Sequence, residues 1–117
     1  GVRRLGTAEA TTILNRQNGI LLDLREDNDL SRGIIPQAER IPSSILLNRR
    51  EEFSKHKKKF QDKKNQNKPI ILMGDKANTV SVVGKLFKDN GFEEVFCLEG
   101  GIESWIDAGL PVRSTEK

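Results

Sequence analysis

Short apolar runs alternate along the chain with longer segments of helical spacing. Three of these runs, at residues 20–24, 70–73 and 95–98, lack the strict polar alternation of a half-exposed strand. Runs of this kind are typical of strands that are buried on both faces of a sheet. Because helical segments separate them, the pattern predicts an α/β domain whose central sheet is mostly parallel, with about five strands.

The first half of the chain predicts two helices. One is expected over residues 7–16, with Thr7 as its N-cap, because apolar positions recur there at helical spacing. A second is expected over residues 45–60, with Ser43 or Ser44 as its N-cap. Its apolar seam is narrow and recurs every seven residues, at Leu46, Phe53 and Phe60.

The second half predicts two more helices. A third is expected over residues 78–90, closed by Gly91, and a short fourth follows Gly100 and carries Trp105. The spacing of apolar residues in the third helix predicts four inward side chains, Val82, Val83, Leu86 and Phe87.

Length and composition indicate one domain. The 117 residues suffice for a single core, which we expect to cover residues 5–112, with residues 1–4 and 113–117 as flexible ends or cloning remnants. No run of 18 apolar residues exists in the sequence, so none of it is expected to span a membrane. The chain begins with Gly-Val instead of Met, and an upstream anchor or targeting segment is an open expectation.

The basic charge is local. Residues 49–68 contain nine Lys and Arg against three acids, whereas the other residues are mildly acidic. This segment is either a solvated helix face or a contact for an acidic partner or an anionic membrane surface, through residues such as Lys57, Lys58 and Lys63. Nucleic acid is not expected as a ligand, because no exposed aromatic platform for stacking bases is evident.

Cysteine and histidine are each present once, as Cys97 and His56. A lone cysteine cannot form an internal disulfide, which indicates a reducing compartment such as the cytosol. One Cys and one His far apart in sequence cannot assemble a His/Cys metal cluster, so neither a metal nor another cofactor is expected. The chain is expected to be monomeric.

Three stretches together resemble the rhodanese family of thiosulfate sulfurtransferase-type domains. The first is LDLRE at residues 22–26 with GIIPQA at 33–38, which is similar to the Asp-x-Arg strand end and Gly-His-Ile-Pro-Gly-Ala turn of that family. The second is PIILM at 69–73 with the helix that ends at residues 90–92. The third and most specific is VFCLEGGIESW at 95–105. The resemblance implies a three-layer α/β fold.

The same resemblance implies that the catalytic chemistry is missing. The family places a cysteine nucleophile at the start of the loop after the central strand, and Gly74 stands there in this sequence. Further along the loop, Ala77, Thr79 and Val80 stand where the family usually has a glycine, a cation and a hydroxyl residue. Ile34 replaces the turn histidine. Together these differences remove the nucleophile and the groups that support it.

Sulfur transfer requires a thiolate and then a persulfide anion, both stabilised by backbone N–H groups and a nearby cation. Glycine carries no sulfur, and Asp75 adds a negative charge that Lys76 offsets only in part. Asp23 and Arg25 could form a catalytic pair, but we interpret them as structural. Cys97, near the end of a strand, is more consistent with a small core residue than with a relocated nucleophile.

The sequence therefore predicts a catalytically inactive rhodanese-homology domain that binds a protein or a small anionic ligand. The candidate binding residues form the loop Gly74, Asp75, Lys76, Ala77, Asn78 and Thr79. The alternative is a sulfurtransferase that uses Cys97 or the thiol of a partner. A phosphatase would need Cys and Arg in the loop, and neither is present. Because some bacterial relatives follow an N-terminal anchor, a cytoplasmic domain tethered to the inner membrane is a further expectation.

Overall fold

A computed structural model describes residues 2–115 of the chain. Within these residues a single sheet contains five strands in the order β1-β5-β4-β2-β3, and every neighbouring pair is parallel. The strands are β1 (Arg3–Leu5), β2 (Ile20–Asp23), β3 (Glu39–Arg40), β4 (Ile70–Met73) and β5 (Val95–Leu98). The predicted α/β fold with a parallel sheet is confirmed.

Five helices connect the strands, together with one 3₁₀ turn at Asp27–Asp29. They are α1 (Thr7–Arg16), α2 (Ser43–Asn48), α3 (Arg50–Phe60), α4 (Ala77–Asp89) and α5 (Gly101–Asp107). Because the strands are parallel, each connection between them must carry the chain from the carboxyl end of one strand back to the amino end of the next. The ends of α1, α3 and α4 therefore lie near the amino ends of the strands that follow them.

The sheet is covered on both faces. Successive residues of β2 and β4 alternate between two cores, so Leu22 and Leu72 lie in one cluster while Leu21 and Ile71 lie in the other. The first cluster includes Phe53, Phe60 and Phe87 from α3 and α4, and the second includes Trp105 from α5. Burial on both faces explains why these strands read as uninterrupted apolar runs.

The prediction of a single helix over residues 45–60 is wrong. The chain breaks at Arg49, where φ is −127° and ψ is 95°, so that α2 ends before α3 begins. The predicted serine cap is also wrong, because α2 starts at Ser43 itself after Pro42. The two serine side chains instead donate hydrogen bonds to Glu26. Thr7 is likewise the first helical residue of α1, and Gly6 holds the cap position.

The inward orientation predicted for Val82 is wrong, since 54% of this residue is exposed. The buried stripe of α4 instead follows Val80, Val83, Gly84 and Phe87, at spacings of three and four residues. Gly84 is part of the stripe because Val2 packs directly over its α-carbon, where a larger residue would collide with the valine side chain.

Strand β1 includes Arg3 and Arg4, two residues assigned from the sequence to a flexible end. Both arginine side chains are exposed, and Leu5 is the one buried residue of the strand. The three residues of β1 therefore show no alternation of apolar and polar side chains that would predict a strand. The strand forms because its backbone pairs with β5. At the other end, Arg113 forms a bridge with Ile34, while residues 116–117, like Gly1, lie outside the described residues. Among described residues, no helix has the length and hydropathy needed to cross a bilayer.

Candidate functional site

A small pocket lies at the carboxyl ends of β2 and β4, which are neighbours in the sheet. Open α/β sheets place their ligands at this edge. The pocket has a volume of about 110 Å³. It is lined by Leu24, Arg25, Glu26, Asp29, Ser43, Gly74, Asp75, Lys76, Thr79 and Val80.

Four of the six predicted loop residues therefore line this pocket, and Ala77 and Asn78 are not among the lining residues. The segment after β2 supplies the opposite wall, which the sequence interpretation did not assign to the site. The sequence feature that indicates this wall is the position of Arg25, two residues after Asp23 at the end of a buried strand. Parallel strands that are neighbours bring their following loops together.

The backbone of Gly74 is closely surrounded. A β-carbon added there would lie 2.9 Å from Cγ2 of Val80 and 3.6 Å from Cβ of Leu24. A β-carbon added at Gly101 would lie 3.0 Å from the carbonyl oxygen of Gly74. The Val80 methyl group thus occupies the space that a side chain at residue 74 would enter.

Asp23 and Arg25 form an ion pair that is fully buried beside the pocket. Arg25 donates from Nε to Oδ1 of Asp23 at 3.0 Å and from Nη2 to Oδ2 at 2.7 Å. Nη2 also donates to the carbonyl oxygen of Gly33 at 2.9 Å, which ties the end of β2 to the following turn. The remaining nitrogen, Nη1, is buried and has no hydrogen-bond partner among residues 2–115.

The carboxylates of the pocket lie in contrasting environments. Hydrogen bonds from Ser44 and Ser43 hold the pKa of Glu26 below its usual value. The pKa of Asp75 is raised, mainly because partial burial disfavours its charged form. Arg25 opposes that change, while the negative charge of Asp29 adds to it. Asp75 is therefore a poor neighbour for a second anion.

Two features of the pocket favour binding of an acceptor group. The first N–H groups of a helix lack intrahelical acceptors, and α4 contributes Thr79 of that turn to the lining. The N–H of Val80, by contrast, already donates to the carbonyl oxygen of Lys76 at 3.1 Å. Arg25, whose charge is paired with Asp23, adds the amino group of Nη1, which has no hydrogen-bond partner among residues 2–115. The lining of the pocket thus combines these donors, which we call its base, with the exposed residue Asp75, which we call its rim.

Cys97 lies in β5, half-buried, and packs against the core cluster that contains Leu72 and Val95. It is not one of the residues that line the pocket. Burial raises the pKa of its thiol, an effect that Arg4 reduces and Glu99 reinforces. These surroundings disfavour the thiolate that nucleophilic chemistry requires.

The predicted basic contacts lie away from the pocket. Lys57 and Lys58 belong to the last turn of α3, and Lys63 follows in the segment before β4. Lys57 donates to Oδ1 of Asn90 at 3.4 Å, while Lys58 and Lys63 are exposed. For metals, the described residues contain no group of three or more His, Cys, Asp or Glu side chains that could hold an ion.

Comparisons with known proteins agree with this geometry. The family model for the rhodanese-like domain matches residues 7–108. The protein YibN of Escherichia coli strain K12 is 28% identical over 112 residues, covering 95% of this chain and 72% of YibN. The thiosulfate sulfurtransferase GlpE of Pseudoalteromonas translucida is 20% identical over 103 residues, covering 88% of each. A rhodanese-related protein of Thermoplasma volcanium superposes with a TM-score of 0.67 at 25% identity, over 94% of this chain and 96% of that structure.

Proposed function

The chain belongs to the rhodanese-like domain family, and from this we propose that it is a non-catalytic member that binds a partner at the pocket between Arg25 and Gly74. The observation that carries the proposal is the loop that opens after β4. This loop presents a glycine, and a valine methyl group fills the adjacent space. The only cysteine of the chain lies elsewhere, in β5.

The form of the pocket supports binding of a protein segment. Its volume, about 110 Å³, is suited to one side chain or a small anion, and it opens beside exposed residues of the loop. Asp29 and Asp75 are the two aspartates that line the pocket. A peptide that offers a hydrogen-bond acceptor to the base and a basic group to the rim satisfies both charges.

A small anionic ligand is the second candidate, and Arg25 is the observation that favours it. The unpaired Nη1 and the first turn of α4 are the elements of an anion site. Asp75 opposes this ligand unless its carboxyl group is protonated, and its raised pKa acts in that direction. The Asp75→Asn variant would therefore bind sulfate or phosphate more tightly than the parent chain.

The absence of catalysis is tested by thiocyanate formation from thiosulfate and cyanide. We expect no turnover above background for the parent chain or for Cys97→Ser, which contains no thiol. Turnover by the parent chain that disappears in Cys97→Ser would replace the proposal with the alternative, a sulfurtransferase that uses Cys97.

Binding is tested separately, with a photo-crosslinking residue placed at Thr79. We expect a discrete adduct in cells that is lost when Asp75→Lys is added, because that change reverses the charge of the rim. The matched control carries the crosslinker at Ser54, an exposed residue of α3. Equal adducts at both positions, or an adduct indifferent to Asp75→Lys, would contradict binding at the pocket.

A further inference from the structure

The two sides of the domain that lie at the amino ends and at the carboxyl ends of the parallel strands differ in charge. The last turns of α1, α3 and α4 and the segment before β4 meet at the edge formed by the amino ends of the strands. Each contributes Lys or Arg. We call this surface the basic edge, and its residues are Arg16, Lys57, Lys58, Lys63, Lys64 and Lys88. Cations in the last turn of a helix are favourable because they face the negative end of its dipole.

The charges of the basic edge are largely uncompensated. Among the described residues, none of its six members forms an ion pair, whereas Lys59 and Lys85 nearby are paired with Glu39 and Asp89. The amino group of Lys57 donates a hydrogen bond to the neutral side chain of Asn90. The acids that remain on this edge are Asp62, Glu93 and Glu94. The surface therefore has a net positive field.

The opposite edge has the reverse character. The loops after β2, β4 and β5 carry more acids than bases, and the pocket lies among them. The acids on these loops are Glu26, Asp27, Asp29, Asp75 and Glu99. The domain consequently has a charge dipole along the direction of its strands. A charged surface would both attract the domain and orient it.

We propose that the basic edge binds an anionic lipid surface, which leaves the pocket directed towards the aqueous phase. A broad array of five lysines and one arginine, from three helix ends and the segment before β4, suits an extended sheet of negative charge. Lysine in particular is a flexible point charge without bidentate geometry. The exposed large apolar residues, Leu47, Val82 and Val112, lie outside this edge. Attachment is therefore electrostatic, without insertion. This inference does not depend on what the pocket binds.

The first test is co-sedimentation with phosphatidylcholine vesicles, with and without about 30% phosphatidylglycerol. We expect binding only to the anionic vesicles and a steep loss of binding as salt rises from ~0.05 M to ~0.5 M, because screening shortens the range of the field. Lys63→Glu/Lys64→Glu should weaken binding by at least about 20-fold, since each basic residue near such a surface contributes about a factor of five.

The matched control, Arg32→Glu/Arg113→Glu, changes the net charge equally but alters exposed residues outside the basic edge. It should bind nearly as tightly as the parent chain. Equal weakening in both variants, equal binding to neutral vesicles, or tighter binding to soluble polyglutamate or RNA than to the vesicles would overturn the proposal. If the charge-reversal variant does not fold, Lys63→Gln/Lys64→Gln provides the same comparison.

The second test concerns orientation. In a Cys97→Ser background, an environment-sensitive dye is attached at Lys64→Cys or at Glu99→Cys, which lie at opposite edges of the sheet. Anionic vesicles should change the emission of the first conjugate and leave the second unchanged. Equal changes for both dyes, or a change confined to residue 99, would contradict the proposed orientation.

Discussion

Gly74 has no side chain, yet the space beside its α-carbon is occupied. Cγ2 of Val80 lies 2.9 Å from the position of an added β-carbon, closer than real β-carbon contacts allow, and Val80 is itself buried. Residues 74 and 80 are therefore complementary in size. This is a packing relation across one turn of loop and helix, and it explains why a valine is suited to this position.

We predict that Gly74→Cys lowers the free energy of unfolding by about 1–3 kcal/mol, the usual cost of overpacking. Val80→Ala should relieve the collision, so the double variant should be more stable than the sum of the two single effects implies. Urea denaturation of all four chains measures this coupling. Simple additivity would show that Val80 does not fill the space at residue 74.

The thiol of Gly74→Cys/Val80→Ala should have a pKa no lower than the ordinary ~8.5, because Asp75 opposes the thiolate. Adding Asp75→Arg and Thr79→Arg should lower that pKa by ~1–3 and permit thiocyanate formation, since each places a cation near the sulfur. The measurement is thiolate absorbance against pH, alongside the assay. A low pKa without the two arginines would mean that Arg25 and the first turn of α4 suffice.

Cys97 should react slowly with a thiol reagent in the native chain and rapidly in denaturant. Its half-buried position in β5 limits access, and burial raises the thiol pKa, so the thiolate fraction at neutral pH is small. Labelling followed by mass spectrometry at pH 7 compares the two rates. Native labelling at the denatured rate would restore Cys97 as a candidate nucleophile.

One carboxylate links the loop after β2 to the first residues of α2. Glu26 accepts a hydrogen bond from the backbone N–H of Ser44 at 3.2 Å and from the two serine hydroxyls at 2.6 and 3.1 Å. It therefore performs, from a distant loop, the capping role that the sequence assigned to the serines. The same contact positions Ser43 in the wall of the pocket.

We expect Glu26→Gln to destabilise the domain by roughly 0.5–1 kcal/mol at pH 7, the usual range for a charge at a helix N-terminus. The folded chain lowers the pKa of Glu26, so its contribution is complete above the unfolded pKa and disappears as pH falls through the folded value. Urea denaturation should therefore show the full difference at pH 7 and a difference that shrinks as the pH falls below about 4. Glu93→Gln, in an exposed loop, is the control.

The five strands of the sheet differ in their burial and in their position. β4 is the middle strand of the sheet, and its four residues are buried on both faces. β3 is an edge strand of two residues, and β1 is an edge strand in which only Leu5 is buried. Local opening should therefore expose the edge strands β1 and β3 far more often than global unfolding exposes β4.

Hydrogen exchange tests this order. Amides of β4 should exchange only through global unfolding, and those of β1 and β3 at least about tenfold faster, because local opening suffices at the edges. Mass spectrometry or NMR of the full chain measures both. Protection of β3 equal to that of β4 would indicate that the loop between β2 and α2 is more rigid than its exposed residues suggest.

The parts of this protein that are readable from its sequence are those with a local physical cause. β4, β5 and the first three residues of β2 are apolar because both faces of the sheet are covered, and α4 shows its stripe because a helix repeats every 3.6 residues. The loop without a thiol and the basic character of residues 49–68 are likewise properties of composition. These patterns predicted the α/β class with its parallel sheet, whereas the three-layer fold and the loop that forms one wall of the pocket were predicted from the resemblance to the rhodanese family.

Tertiary structure decided the remainder, because it depends on contacts between residues far apart in the chain. β1 exists only through pairing with β5, about ninety residues later, since two exposed arginines leave no apolar pattern. The second wall of the pocket comes from the segment after β2, because β2 and β4 are spatial neighbours. Charge separation between the amino and carboxyl ends of the strands arises in the same way: parallel crossovers return the ends of α1, α3 and α4 to one edge, so Arg16 and Lys88 join the basic segment 49–68 on a single surface.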